Sequence, residues 1–208
     1  MTAISIIGTG NMGSAIAGIA AKAGAEVQVL ARDIDKAQEL AAQTGATAAT
    51  VGDALTGELV VLAVPFAAVD EIIAAYGAQL DGRTVVDVTN PVDFATFDGL
   101  VVPADSSAAA VIASKTPAAM VVKAFNTTFG ATLAAGVVGE ATTTTVLVAG
   151  DDDDAKGTVI ELIRAGGLDA VDAGTLKRAR ELEALGFLQI TLAAREQIGW
   201  AGGFALVK

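Results

Sequence analysis

Short and nearly unbroken apolar runs recur along this chain, at Ala3–Ile7, Glu26–Leu30, Leu59–Val64, Thr84–Val88, Met120–Phe125 and Thr144–Ala149. Runs with so little polar alternation suit strands covered on both faces. Alanine-rich stretches of helical length separate the early runs, at Asn11–Ala23, Asp33–Thr44 and Ala67–Tyr76. Strand and helix in alternation imply parallel strands joined by right-handed crossovers. The pattern predicts an α/β fold with a doubly wound parallel sheet.

Beyond Gly150 the pattern changes. "DDDDAKGTVIELIRAGG" opens with four acids, then sets Val159, Ile160, Leu162 and Ile163 on one helical face and stops at Gly166. Acids at a helix start suit the macrodipole. A short run, Leu168–Val171, precedes the longest periodic helix, Leu176 to about Gln197. The expected organisation is a nucleotide-binding domain over residues 1–150 and a small helical C-terminal lobe over 151–208, with one or two edge strands. The long helix carries more apolar positions than a small lobe can cover, which predicts a homodimer.

Gly8, Gly10 and Gly13 follow the first strand directly and open the first helix. In a Gly-x-Gly-x-x-Gly turn the three positions serve a tight turn, room for a diphosphate against bare backbone, and close helix–strand packing. The helix starting at Asn11-Met12 would aim free N–H groups and its positive end at that diphosphate. The setting is the complete strand–helix–strand unit of a Rossmann-type dinucleotide site. At the end of the second strand an acid would bind a ribose, whereas an arginine accommodates a 2′-phosphate. This chain has Arg32 there, with Lys36 one helical turn on and Thr9 nearby. NADP is the expected cofactor.

Composition narrows the chemistry. Hydrophobic residues make up 53% and aromatics 4%, so the core must be built from Ala, Val, Ile and Leu. A net charge of −11 argues against a nucleic-acid partner. Histidine and cysteine are absent, which removes imidazole catalysis, thiol nucleophiles, disulfides and thiolate metal sites. Met1–Ile7 enters an apolar run without a basic region, so no signal peptide is read. No apolar stretch reaches the roughly 18 residues of a spanning helix, and a cytoplasmic chain without a membrane partner is expected.

Three further strand ends carry non-titrating groups: the apolar Val64-Pro65-Phe66 and the polar Thr89-Asn90-Pro91 and Asn126-Thr127. Ligands bind at the carboxyl ends of strands in such sheets. Pro65 would wall the nicotinamide, and Asn90, Asn126 and Thr127 would line the same rim. With few acid–base players available, no catalytic side chain is assigned. Hydride transfer between two bound cofactors needs only orientation and exclusion of water.

"IIGTGNMG", the basic "AR" with Lys36, "VDVTNP", "VVKAFNT", "GDDDDAK" and "DAGTLKRARELEAL" together resemble the NADPH-dependent reductases of the deazaflavin coenzyme F420, including their bacterial relatives. The similarity covers nearly the whole chain and extends to the cytosolic NADPH domain of the transmembrane ferric reductases. It implies an NADP domain and a small C-terminal lobe, with the deazaflavin stacked on the nicotinamide between them. Thr9, Arg32 and Lys36 would hold the 2′-phosphate side, while Asn126, Thr127 and the "GWAGGFALVK" end would border the second cofactor. Two positions depart from the pattern: Ala31 replaces a serine usual before the arginine, and Asn126 replaces a histidine found in archaeal members. The expected activity is hydride transfer between NADPH and coenzyme F420 or a flavin. Alternatives are an NADP-dependent reductase of a small imine or carbonyl, in view of the shared "GNMG" text of pyrroline carboxylate reductases, and a non-enzymatic NADP-sensing module.

Overall fold

The computed structural model describes residues 2–139 and 142–207, so Lys208 of the expected second-cofactor border lies outside the described residues. The chain runs β1 (Ala3–Ile7), α1 (Asn11–Lys22), β2 (Glu26–Ala31), α2 (Ile34–Thr44), β3 (Thr47–Thr50) and β4 (Leu59–Leu62). A 3-10 turn, Phe66–Ala68, leads to α3 (Val69–Tyr76), β5 (Thr84–Asp87), α4 (Ala108–Lys115), β6 (Met120–Lys123) and α5 (Gly130–Ala135). Then come β7 (Val137–Val138), β8 (Thr142–Thr143), β9 (Thr145–Gly150), α6 (Asp153–Ala165), β10 (Asp169–Gly174) and α7 (Ala179–Ala194).

The main sheet has eight strands in the order β10-β9-β6-β5-β4-β1-β2-β3, a Rossmann-like arrangement. The chain leaves β1 toward β3 and then returns to β4 on the other side of β1. That reversal opens a crevice at the carboxyl ends of β1 and β4, the usual ligand position. Both faces are buried, as the runs predict. Ile4 and Ile6 pack with Ile16 and Ile19 of α1 and Ile163 of α6. Ile7 faces the other way, onto Leu62, Ile72 and Tyr76 of α3 and Ile112 of α4. Burying each large aliphatic side chain contributes about 1.5–3 kcal/mol, so alternation along one strand ties both helical layers to it.

The sheet is not wholly parallel. β6 and β9 run antiparallel, pairing Val122 with Gly150 and Lys123 with Ala149, while β10 runs parallel to β9. The connection from β6 to β9 runs through α5, only six residues long. Between it and β9, among the described residues, lies only the short antiparallel pair β7–β8, joining Val137 to Thr143 and Val138 to Thr142. The expected division near residue 150 therefore falls inside one continuous sheet. Helix α6 starts as its acids suggest, with Asp152 accepting from the Ala155 N–H at 2.8 Å. The expected long helix is a 3-10 turn, Leu176–Arg178, followed by α7. Its buried face mixes Leu182 and Ala193 with Glu183, Gly186 and Gln189. Among the described residues no helix is long and apolar enough to cross a membrane.

Candidate functional site

The three fingerprint glycines have three different surroundings. Gly8 sits at φ 118°, and a Cβ there would lie 2.1 Å from the Ala63 carbonyl oxygen. Its N–H is held by the Leu30 carbonyl at 2.8 Å, which fixes the turn against β2. At Gly13 a Cβ would lie 2.0 Å from the Gly8 carbonyl oxygen, so α1 approaches β1 more closely than any side chain permits. Gly10 has no atom within 4 Å of its Cβ position. It caps α1 without a side-chain hydrogen bond, leaving the helix's first N–H groups directed at open space. Such a cradle matches a diphosphate.

Beside the fingerprint, Arg32 follows β2 and Lys36 lies on α2, both exposed, while Thr9 is half-buried. Arg32 Nη2 donates to Glu71 Oε2 of α3 at 2.9 Å. Val64 and Pro65 lie just past β4, and Val64 Cγ1 approaches the Gly8 Cβ position at 3.4 Å.

Beside the fingerprint opens a cleft of about 320 Å³. Asn11 and Met12 contribute from α1, Val88 and Asn90 from beyond β5, and Asn126, Thr128 and Phe129 from beyond β6. Ile190 of α7 and Trp200 of the tail close the opposite side, with Trp200 and Phe129 ring centroids 5.0 Å apart. No lining side chain titrates. Thr127 and Thr128 are both buried, and of the two Thr128 lines the cleft. They follow a left-handed backbone at Phe125, φ 66°, whose side chain is 1% exposed. Strain of this kind is held only where packing enforces it.

The two rim asparagines are largely committed to each other. Asn90 Nδ2 donates to the Asn126 carbonyl at 2.8 Å, and Asn126 Nδ2 donates to Asn90 Oδ1 at 2.9 Å and to the Leu182 carbonyl at 3.0 Å. Gly186 allows α7 to seat here, since a Cβ would meet Asn90 Oδ1 at 2.5 Å. Gly130 serves the same end on the other wall, where a Cβ would lie 2.8 Å from the Asn11 carbonyl oxygen. These amides fasten β5, β6 and α7 together, and the rim is a clamp as much as a ligand surface.

Beneath the rim lies a buried ionic triad. Lys123 Nζ reaches Asp87 Oδ2 at 2.8 Å and Glu183 Oε1 at 2.9 Å, and all three side chains are at most 1% exposed. It also donates to the Thr89 carbonyl at 2.5 Å. Glu183 accepts from the Ala108 and Ala109 N–H groups at 2.8 and 3.3 Å, so a carboxylate of α7 caps α4. Burial raises the Glu183 pKa above its ordinary value, opposed by Lys123 and the Ala108 N–H and reinforced by Asp87. Sequence reading missed the triad. Its signal was a charge inside each of two otherwise apolar segments, "VVDV" and "VVKAF", whereas Glu183 sits in the charged stretch "RELEAL" and carries no such mark.

A larger hollow, about 610 Å³, opens at the amino edge of the sheet. Arg83 there donates to the Gln79, Gly57 and Leu55 carbonyls, which occupies its guanidinium. Among the described residues no cluster of three or more acidic, histidine or cysteine side chains could hold a metal.

The family model described as NADP oxidoreductase, coenzyme F420-dependent, matches residues 3–91. A solved structure of a candidate F420-dependent NADP-reductase from Arthrobacter sp. FB24 is 28% identical, with a TM-score of 0.85 and complete coverage of both chains. The hypothetical protein SMa0349 from Sinorhizobium meliloti is 32% identical over 85% of this chain and 86% of its own, with a TM-score of 0.76. Metalloreductase STEAP3 of Rattus norvegicus is 36% identical over 107 residues, 51% of this chain, and the match spans 20% of that protein. Fingerprint, fold and these likenesses together define an NADP-dependent oxidoreductase. Within that class its residues 3–91 resemble the coenzyme F420-dependent NADP oxidoreductases.

Proposed function

We propose that this chain moves a hydride between NADPH and coenzyme F420, or a flavin of similar shape, in the cleft between the fingerprint and α7. NADPH when bound supplies the hydride, and the planar acceptor takes it. The carrying observation is a cleft that starts at Asn11 and Met12, is lined by Phe129 and Trp200, and contains no titratable side chain. Reduction of an imine or carbonyl substrate needs a proton donor, and none faces this space. A deazaflavin takes the hydride on carbon and spreads the charge over its ring as an anion, which can collect its proton from solvent afterwards. The transfer itself therefore needs orientation and a dry environment, which aromatic and aliphatic walls provide.

In this reading Gly8, Gly10, Gly13 and the start of α1 hold the diphosphate, while Thr9, Arg32 and Lys36 receive the 2′-phosphate. Val64 and Pro65 border the nicotinamide, and Asn90 and Asn126 set the width of the second site. A homodimer is also part of the proposal, supported by exposed apolar side chains at the cleft mouth, Phe94 at 58% and Trp200 at 56%. The test is NADPH oxidation by the purified chain with coenzyme F420, FMN or a cyclic imine, following the acceptor's own absorbance. Turnover of the imine alone would reject the deazaflavin reading.

A further inference from the structure

The Arg32–Glu71 ion pair crosses the mouth of the adenosine site. Arg32 follows β2, Glu71 stands in the first turn of α3 after β4, and β1 lies between those strands. The pair therefore spans the carboxyl end of β1, where Gly8 and Thr9 begin the fingerprint. Its two side chains are each 64% exposed and joined at 2.9 Å. Among the described residues Arg32 makes no other hydrogen bond or ion pair. The neighbouring acid of α3, Asp70, turns away to Lys115 of α4 at 2.5 Å. Two adjacent first-turn acids thus divide their tasks, and only Glu71 reaches over the crevice.

We propose that Glu71 is a specificity-tuning residue, a latch that occupies the Arg32 guanidinium and must yield it when a 2′-phosphate arrives. The proposal rests on the reading of Arg32 as the phosphate-binding residue. A carboxylate and a phosphate both seek the same planar fork of donors, and they repel each other when both approach it. A cofactor without the 2′-phosphate leaves the latch closed and gains nothing from Arg32. Glu71 accordingly holds NADPH affinity below the value Arg32 alone would give, which favours release of the oxidised cofactor after each turnover. Exposed ion pairs are weak, so the latch is worth about 1.4- to fivefold in affinity.

The experiment measures NADPH and NADH binding by calorimetry, at one low ionic strength, for wild type, Glu71→Gln, Arg32→Ala and the double variant. Tighter NADPH binding by about 1.4- to fivefold in Glu71→Gln, with NADH unchanged and the gain gone in the Arg32→Ala background, supports the latch. Weaker NADPH binding in Glu71→Gln would make Glu71 a support for Arg32 and overturn it. An unchanged NADPH affinity in Glu71→Gln, with a loss confined to NADPH in Arg32→Ala, overturns the latch while leaving the phosphate reading intact. Equal loss of both cofactors in Arg32→Ala overturns the phosphate reading and the latch with it. Glu71→Lys serves as a second variant and should tighten NADPH further, because it exchanges a competitor for a cation.

Discussion

Replacing Lys123 by Met removes the one positive charge from a buried triad and keeps most of its volume. Asp87 and Glu183 then face each other with no cation, in a site where every side chain is at most 1% exposed. Breaking a buried ion pair by deleting one partner costs about 3–5 kcal/mol, a large share of the 5–15 kcal/mol that roughly bounds domain stability. Two features limit the loss. Glu183 keeps its N–H donors from Ala108 and Ala109, and it can neutralise itself by taking a proton. Its folded pKa already stands above the ordinary value. A raised carboxylate pKa means that its contribution is full below the unfolded value and lost as pH rises through the folded value. The Lys123→Met deficit should therefore be greatest at neutral pH and shrink as pH falls toward the ordinary glutamate range. Urea unfolding followed by circular dichroism at several pH values reads this directly. The expected midpoint loss on heating is about 6–20 °C, and adding Asp87→Asn and Glu183→Gln should recover much of it. A deficit below about 1 kcal/mol at neutral pH, the range of a surface pair, would refute the reasoning.

Gly10→Val should abolish NADPH binding while the urea midpoint stays near wild type, because nothing lies within 4 Å of the new Cβ. Gly13→Ala should instead cost about 1–3 kcal/mol of stability, since its Cβ meets the Gly8 carbonyl oxygen at 2.0 Å; equal behaviour of the two variants in melts would contradict the assigned roles. Light scattering at micromolar concentration should give a dimer mass, and a monomer there removes the homodimer proposal.

Much of this was legible in the sequence because it was local. β1 falls on Ala3–Ile7 as its run predicts, and the acids before α6 mark its start. The glycine spacing alone specifies a tight turn, an open position and a close contact, and Gly8, Gly10 and Gly13 have those surroundings. What escaped was non-local or chemically plain. β3 reads Thr-Ala-Ala-Thr, with no apolar run, because an edge strand is only partly covered. α4 is built mainly of small residues, and its start depends on Ser107 and on Glu183, 75 residues away from the Ala108 N–H. Glu183 looks like an ordinary solvated charge on a helix until β6 places Lys123 beneath it. Asn126 was identified as a rim residue, but its bond to the Leu182 carbonyl, across 56 positions, depends on how α7 docks.

The inverted pair β9 and β10 has a consequence for how the polypeptide is routed. Had both strands run with the others, the chain would leave β10 at the carboxyl rim, and the helix after it would lead away from that rim. Reversal sends β10 toward the far edge, so α7 travels back and delivers Ile190, and then Trp200, to the cleft. The two ends of the described chain accordingly emerge on opposite sides of the sheet. A protein fused ahead of β1 would hang from the edge remote from the cleft, whereas one fused behind the tail would stand at the cleft's mouth.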